Sequence, residues 1–234
     1  MSGALLEARG IAVSFGGVEV LSGIDFDLDE RGLVSIIGPN GAGKSTFLNV
    51  LTGTVKPTRG TVRFRGESIS ARPLHRIARL GIARKFQVPS VFQSMSVADN
   101  LDVARWGTGA TPAARRDVLG MIGLGERAGE IAAALSHGER QWLEIGMALA
   151  TGPKLLLLDE PTAGMTPQET LATAAMLLRL RDEIAIAAVE HDIGFVRALG
   201  ADTLVLHQGK TFRRGPFAEI EADEAVRDVY LGRR

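Results

Sequence analysis

The residues best suited to chemistry stand together in Gly38-Pro39-Asn40-Gly41-Ala42-Gly43-Lys44-Ser45-Thr46, a fit to G-x-x-x-x-G-K-[ST]. Glycines at 38, 41 and 43 let the backbone wrap a phosphate without Cβ clashes, and its N–H groups then point inward as an anion nest. A helix starting here adds its positive end. Lys44 supplies a point charge for the β- and γ-phosphates, and Ser45 a hydroxyl for Mg²⁺. A second set closes the run Leu155-Leu156-Leu157-Leu158-Asp159-Glu160. Asp159 is suited to hold Mg²⁺, directly or through water. Glu160 is suited to polarise an attacking water as general base. An acidic strand end alone is a weak signal; behind a phosphate loop it becomes a strong one.

These groups need a scaffold that brings strand ends to one edge. Leu33-Val34-Ser35-Ile36-Ile37 reads as a buried strand running into Gly38, and Thr46 to Leu51 as a helix stopped by Gly53. Lys154 to Asp159 and Ile184 to Val189 read as buried parallel strands, and Ile82 to Phe86 as a further strand. Pro73 to Leu80 and Pro167 to Arg181 read as helices, and Glu221 to Leu231 as a terminal helix. Ahead of the loop, Leu5 to Phe15 and Val18 to Leu28 alternate around Gly16-Gly17 as antiparallel strands, and Gly60 to Phe64 returns to strand. Ala201 to Leu206 and Lys210 to Arg214 make a strand pair around Gln208-Gly209. Between Val97 and Ala150 the apolar spacing turns helical. The expected fold is α/β: a P-loop NTPase core with a mostly parallel sheet, an N-terminal antiparallel β subdomain, and an inserted helical subdomain over 88–150. Trp106 and Trp142 are expected in the core, and His75 and His207 at the surface.

Composition narrows the field. The chain has 234 residues, enough for one domain with a small subdomain. With no cysteine, disulfides, Cys-ligated zinc, iron–sulfur clusters and a thiolate nucleophile are excluded. Lys+Arg and Asp+Glu balance at 27 each, leaving no bulk charge to drive nucleic-acid binding. No apolar run approaches the roughly 18 residues of a membrane span. The N-terminus lacks a signal-peptide pattern, so a cytoplasmic protein is expected, with any membrane role through a partner.

A phosphate loop and an acidic strand fit several enzyme classes, and further residues separate them. Leu135-Ser136-His137-Gly138-Glu139 opens the helix before the acidic strand; Gln87 follows the strand Ile82 to Phe86; His191 lies in Val189-Glu190-His191-Asp192; Phe15 precedes Gly16-Gly17. This ordered set, from Leu5 to Leu231, resembles the nucleotide-binding subunit of ATP-binding cassette transporters. The resemblance implies that Ser136, His137, Gly138 and Glu139 form the signature motif, acting in trans on a partner's nucleotide. It implies that Gln87 is the Q-loop glutamine near Mg²⁺ and the γ-phosphate, His191 the switch histidine, Ala163-Gly164-Met165-Thr166 the D-loop, and Phe15 the aromatic against adenine. Phe15 also reads as a strand-end core residue. Arg84-Lys85-Phe86-Gln87, the His in the signature, Gln141 to Met147 and Val229-Tyr230-Leu231-Gly232 are similar to importers of branched-chain amino acids, amides and urea, most of all to the first ATPase subunit of urea importers.

The resemblance further implies ATP and Mg²⁺ as cofactors, and as partners a second ATPase subunit (identical or paralogous), transmembrane permease subunits and, indirectly, an extracytoplasmic solute-binding protein. It places the chain peripherally on the inner face of the cell membrane. Val88, Pro89, Val91, Phe92 and Met95 are expected to receive a coupling helix of the permease. The family's usual signature is Leu-Ser-Gly-Gly-Gln. Glu139 therefore brings a carboxylate towards a polyanion, expected to weaken closure by repulsion, although Ser136 and Glu139 also read as a capping box. A soluble cassette ATPase on nucleic acid or ribosomes fits less well, because such chains carry two cassettes or a long inserted arm. An exporter ATPase shares the phosphate chemistry. A nucleotide-free structural role or a small-molecule kinase would leave catalytic or signature residues without work.

Overall fold

A computed structural model describes residues 4–70, 72–85, 91–106 and 112–231, with the backbone alone over 112–116 and at 231. Two sheets organise the chain. The first is antiparallel, in the order β2 (Val18–Leu28), β1 (Leu6–Phe15), β4 (Arg59–Phe64), β5 (Glu67–Ser68). The second has the order β10 (Lys210–Pro216), β9 (Asp202–His207), β3 (Leu33–Ile37), β8 (Ala185–Val189), β7 (Leu155–Asp159), β6 (Ile82–Lys85). All its pairings are parallel except the β9–β10 hairpin.

The four-leucine run explains why this sheet is central. Leu155 and Leu157 join a core shared with the antiparallel sheet, while Leu156 and Leu158 join a core with the helices on the other face. Every residue of β3, β7 and β8 is buried, as a parallel strand covered on both sides requires. Those helices include α3 (Val97–Arg105), α5 (His137–Leu149), α6 (Pro167–Leu180) and α7 (Ile193–Leu199); α1 (Lys44–Leu51) lies against the first core. α2 (Leu74–Arg79) precedes β6, and α4 (Pro112–Met121) lies between α3 and α5. The α/β fold read from the sequence is the fold observed.

Three local readings need correction. Trp106 is 90% exposed, because the chain leaves α3 there with extended backbone (ψ 124°) and the indole swings away from the core. The C-terminal helix starts earlier and breaks: α8 (Phe217–Ala222) stops at Asp223, which is extended and caps the next short helix α9 (Glu224–Val226) through the Ala225 and Val226 amides. α7 was not expected, although Asp192 caps its start and Gly200 ends it in the left-handed region. Trp142 behaves as expected, packed against the helical core with its Nε1 donating to Thr173 Oγ1 at 2.8 Å.

Candidate active site

The strand register brings the chemistry to one edge. Val189 of β8 pairs with Ile36 of β3 on one side and with Asp159 of β7 on the other. The phosphate loop, the acid pair and His191 therefore leave the sheet side by side at its carboxyl end, where an open α/β sheet takes its ligands.

The loop is shaped by contacts only glycine tolerates. A Cβ on Gly38 (φ 151°) would lie 2.1 Å from the carbonyl oxygen of Leu206, and one on Gly43 (φ 97°) 2.5 Å from Leu21 Cδ2. Lys44 opens α1 and folds back, its Nζ donating to the carbonyls of Gly38 at 2.6 Å and Pro39 at 3.0 Å. Burial lowers its pKa, and the nearby carboxylates of Glu160 and Asp159 oppose that shift.

At the end of β7, Asp159 Oδ2 accepts from Arg84 Nη2 at 2.7 Å, both side chains being buried. Arg84 also donates through Nη1 to Asn49 Oδ1 at 2.5 Å. Asp159 Oδ1 is buried without a hydrogen-bond partner. A buried oxygen of this kind is costly unless something outside the chain satisfies it. Glu160 follows with φ 49°, an unusual conformation for a residue with a Cβ. Its amide donates to Val189 O at 2.9 Å, and its carbonyl accepts from the Ala163 amide at 3.2 Å, closing a tight turn. Its Oε1 lies 3.7 Å from His191 Nδ1. Both side chains reach solvent, so they can act on one shared group.

The α5 start is built separately. Ser136 caps the helix, and Glu139 reaches back 2.7 Å to the Ser136 amide, a complete capping box. Glu139 also forms an ion pair with Arg127. Burial alone would raise the Glu139 pKa, but the Arg127 and Ser136 bonds together hold it below the ordinary value. The expected bare carboxylate is thus a paired one. Ser136 Oγ donates to Glu169 Oε1 at 3.3 Å, and His137 Nε2 lies 2.8 Å from Ala163 O. These contacts run to Arg127, Ala163 and Glu169, none of them a phosphate-loop residue.

Comparison with known proteins fits this arrangement. The ABC transporter family model matches residues 21–163, well over half the chain. The chain belongs to the ABC transporter family. It is 36% identical to the high-affinity branched-chain amino acid transport ATP-binding protein BraF of Pseudomonas aeruginosa, with 99% of each chain covered. It is 37% identical to its counterpart LivG of Salmonella typhimurium, again over 99% of each. The crystal structure of the ADP conformation of MJ1267, an ATP-binding cassette of an ABC transporter, matches with TM-score 0.88 and 27% identity over 98% of this chain and 99% of that one. The chain is accordingly an ATP-binding, ATP-hydrolysing subunit whose activity is coupled to transport. No helix among the described residues is long and apolar enough to cross a membrane.

In this ATPase, Phe15 is 51% exposed at the end of β1, so it is not a core residue. Gln87 lies outside the described residues, as do Val88 and Pro89. Sequence reasoning missed two supporting residues. Arg84, on β6, pairs with Leu157, so Asp159 two residues further lies on the same face. Glu190 is fully buried, accepting from the Thr162 amide (2.9 Å), Thr162 Oγ1 (2.7 Å) and the His191 amide (3.1 Å). Burial raises its pKa against those donors. A carboxylate sealed at the end of a fully buried strand is visible in sequence only once the strand end is placed. A cavity of about 760 Å³ opens elsewhere, between α2, β6 and the end of α5, and the phosphate loop does not line it.

Proposed function

We propose that this chain powers an importer of branched-chain amino acids or similarly small polar solutes, by pairing head to tail with a second ATPase subunit around two ATP molecules. The observation that carries the pairing is the separation of two phosphate-binding ends in one chain. The loop at the end of β3 and the serine-capped start of α5 have non-overlapping partners. Each nucleotide then takes Gly38 to Thr46, Asp159, Glu160, Gln87 and His191 from one subunit, and Ser136 to Glu139 from the other. The solute class is supported by the names of the similar proteins and by the local resemblances at Arg84 to Gln87 and Val229 to Gly232. Urea is a narrower reading than those names carry.

Mg²⁺ fits the residues present. It takes oxygen ligands, and Asp159 offers a buried oxygen without a partner, beside a loop whose Ser45 hydroxyl is exposed. Asp159, Ser45 and Gln87 would hold it. Bound there, it would neutralise charge on the β- and γ-phosphates. Lys44 leaves the Gly38 and Pro39 carbonyls to meet the phosphates. Glu160 orients the attacking water and takes its proton, with His191 holding the γ-phosphate side. Phe15 stacks on adenine.

In this reading, 88–150 is the helical subdomain, and the segment after β6 meets the permease. Phe92 is exposed there and Val91 is half-buried. The chain then sits peripherally on the inner face of the membrane. The test is Glu160→Gln. ATP binding is retained, phosphate release falls at least about 100-fold, and ATP drives the variant into a dimer seen by light scattering. Normal turnover, or a monomer at saturating ATP, rejects the reading.

A further inference from the structure

The segment Val229 to Gly232 has no part in the chemistry above, yet its tyrosine reaches the edge where the phosphate loop lies. A π-helical turn, Arg227–Leu231, follows α9. Such turns are rare and frequently sit at functional sites. Val226 is fully buried just before it, and Tyr230, four residues on, packs against the same core cluster, which includes Ile37 and Val196. Ile36 of β3 pairs with Val189 of β8, so Gly38 and His191, each two residues further, leave the sheet side by side. The phenol stands against both. Its hydroxyl donates to the His191 carbonyl at 3.4 Å, and its oxygen accepts from the Gly38 amide. Burial and the carboxylates of Glu190, Asp192 and Glu160 push its pKa up to about 12 against that amide, so the group keeps its proton and can donate. His191 needs outside support. β8 ends at Val189, and the His191 amide is held by Glu190 Oε2 at 3.1 Å, its carbonyl by Tyr230. The imidazole is exposed, so its direction follows from that backbone.

We infer that Tyr230 is a positioning residue for ATP hydrolysis: by bridging Gly38 and the His191 carbonyl, it fixes the backbone of His191 relative to the phosphate loop. This role rests on the reading of His191 above, as the group on the γ-phosphate side. A separation of 3.4 Å is long for a hydroxyl donor, and contacts of this kind tighten once the reacting complex is assembled. The hydroxyl therefore contributes to turnover and little to ATP binding. Without it, the ring still fills its place beside Ile37, and Glu190 still holds the His191 amide, but the carbonyl side of His191 is released.

The experiment uses the full chain as Tyr230→Phe, which keeps the ring and loses the hydroxyl, together with His191→Ala and the double variant. In Tyr230→Phe, kcat falls about tenfold while KM for ATP stays within about twofold. In the His191→Ala background the same change costs nothing more, because the hydroxyl acts through His191. A merely structural role would add its loss in both backgrounds. Amide exchange without nucleotide reads the tether directly: residues 190–193 exchange at least about fivefold faster in Tyr230→Phe. Additive losses, an unchanged kcat beside an impaired His191→Ala, or unchanged exchange overturns the positioning role alone. Normal turnover in His191→Ala removes the reading of His191, and the role of Tyr230 with it.

Discussion

In the proposed pair two ends of one chain meet phosphate, and they are prepared in opposite ways. At the sheet edge, Asp159 Oδ1 is buried and unpartnered, the loop is held open by close backbone contacts, and Lys44 rests on two carbonyls it can leave. At the start of α5 the polar side chains already have partners: Ser136 with Glu169, Glu139 with Arg127, His137 with Ala163. The first end is preorganised. The second satisfies itself, so its Ser136 hydroxyl must release Glu169 before it can donate to a phosphate. Binding at the first end therefore requires little rearrangement, while engaging the second exchanges one set of hydrogen bonds for another. That is suitable for a contact that must form and break in each cycle.

The same substitution at both ends gives the largest contrast. Gly38→Ala drives a Cβ into the Leu206 carbonyl, part of the sheet itself, from a backbone conformation that disfavours any side chain. It should cost about 3 kcal/mol or more and abolish nucleotide binding. The nearest atoms to a Cβ at Gly138→Ala belong to the Glu169 side chain, Oε1 at 2.3 Å and Cγ at 3.0 Å, and a side chain can turn away. Its cost should be about 1 kcal/mol and should largely vanish in the Gly138→Ala/Glu169→Ala double variant, as urea denaturation of the four proteins would measure. If Gly138→Ala cost as much as Gly38→Ala, the two ends would be equally rigid and the contrast would fail.

Glu190 sharpens the comparison from behind the sheet edge. Its pKa is raised by burial, so the native state binds its proton more tightly than the unfolded chain does. That contribution is complete below the unfolded value of 4.5 and is lost as pH rises through the higher native value. Glu190→Gln cannot lose a proton. The melting temperature of the variant relative to the parent should therefore climb as pH is raised from about 4.5 towards neutrality. A pH-independent difference would show that Glu190 is charged equally in both states.

What could be read in advance follows the same division. The phosphate loop and the Asp159-Glu160 pair are each a contiguous stretch at a strand end, so residue type and local pattern suffice. Arg84 beside Asp159 is legible only after the β6–β7 register is known, because 75 residues separate them. The Ser136–Glu169 contact joins two capping boxes, Ser136 to Glu139 and Thr166 to Glu169; each is visible alone, but their meeting depends on how α5 packs on α6. Trp106 departs from the core for a related reason. Val97 and Leu101 mark the buried stripe of α3, and the tryptophan falls where the helix has already ended.

The smallest expected effect concerns charge at the self-satisfied end. Arg127 makes ion pairs with both Glu130 and Glu139 at the surface. Its removal should leave the fold unaffected, since exposed pairs contribute little to stability. It would, however, uncover the Glu139 carboxylate where the proposed pairing brings a partner's triphosphate. Arg127→Ala should then raise the ATP concentration needed for dimerisation a few-fold in low salt, and the shift should disappear near 1 M salt, where the screening length falls to about 3 Å. Arg127→Ala/Glu139→Gln should restore the parent value at every ionic strength. A shift that survives high salt would instead trace to the shape of the capped helix end, and Arg127 would be bracing that end, not neutralising it.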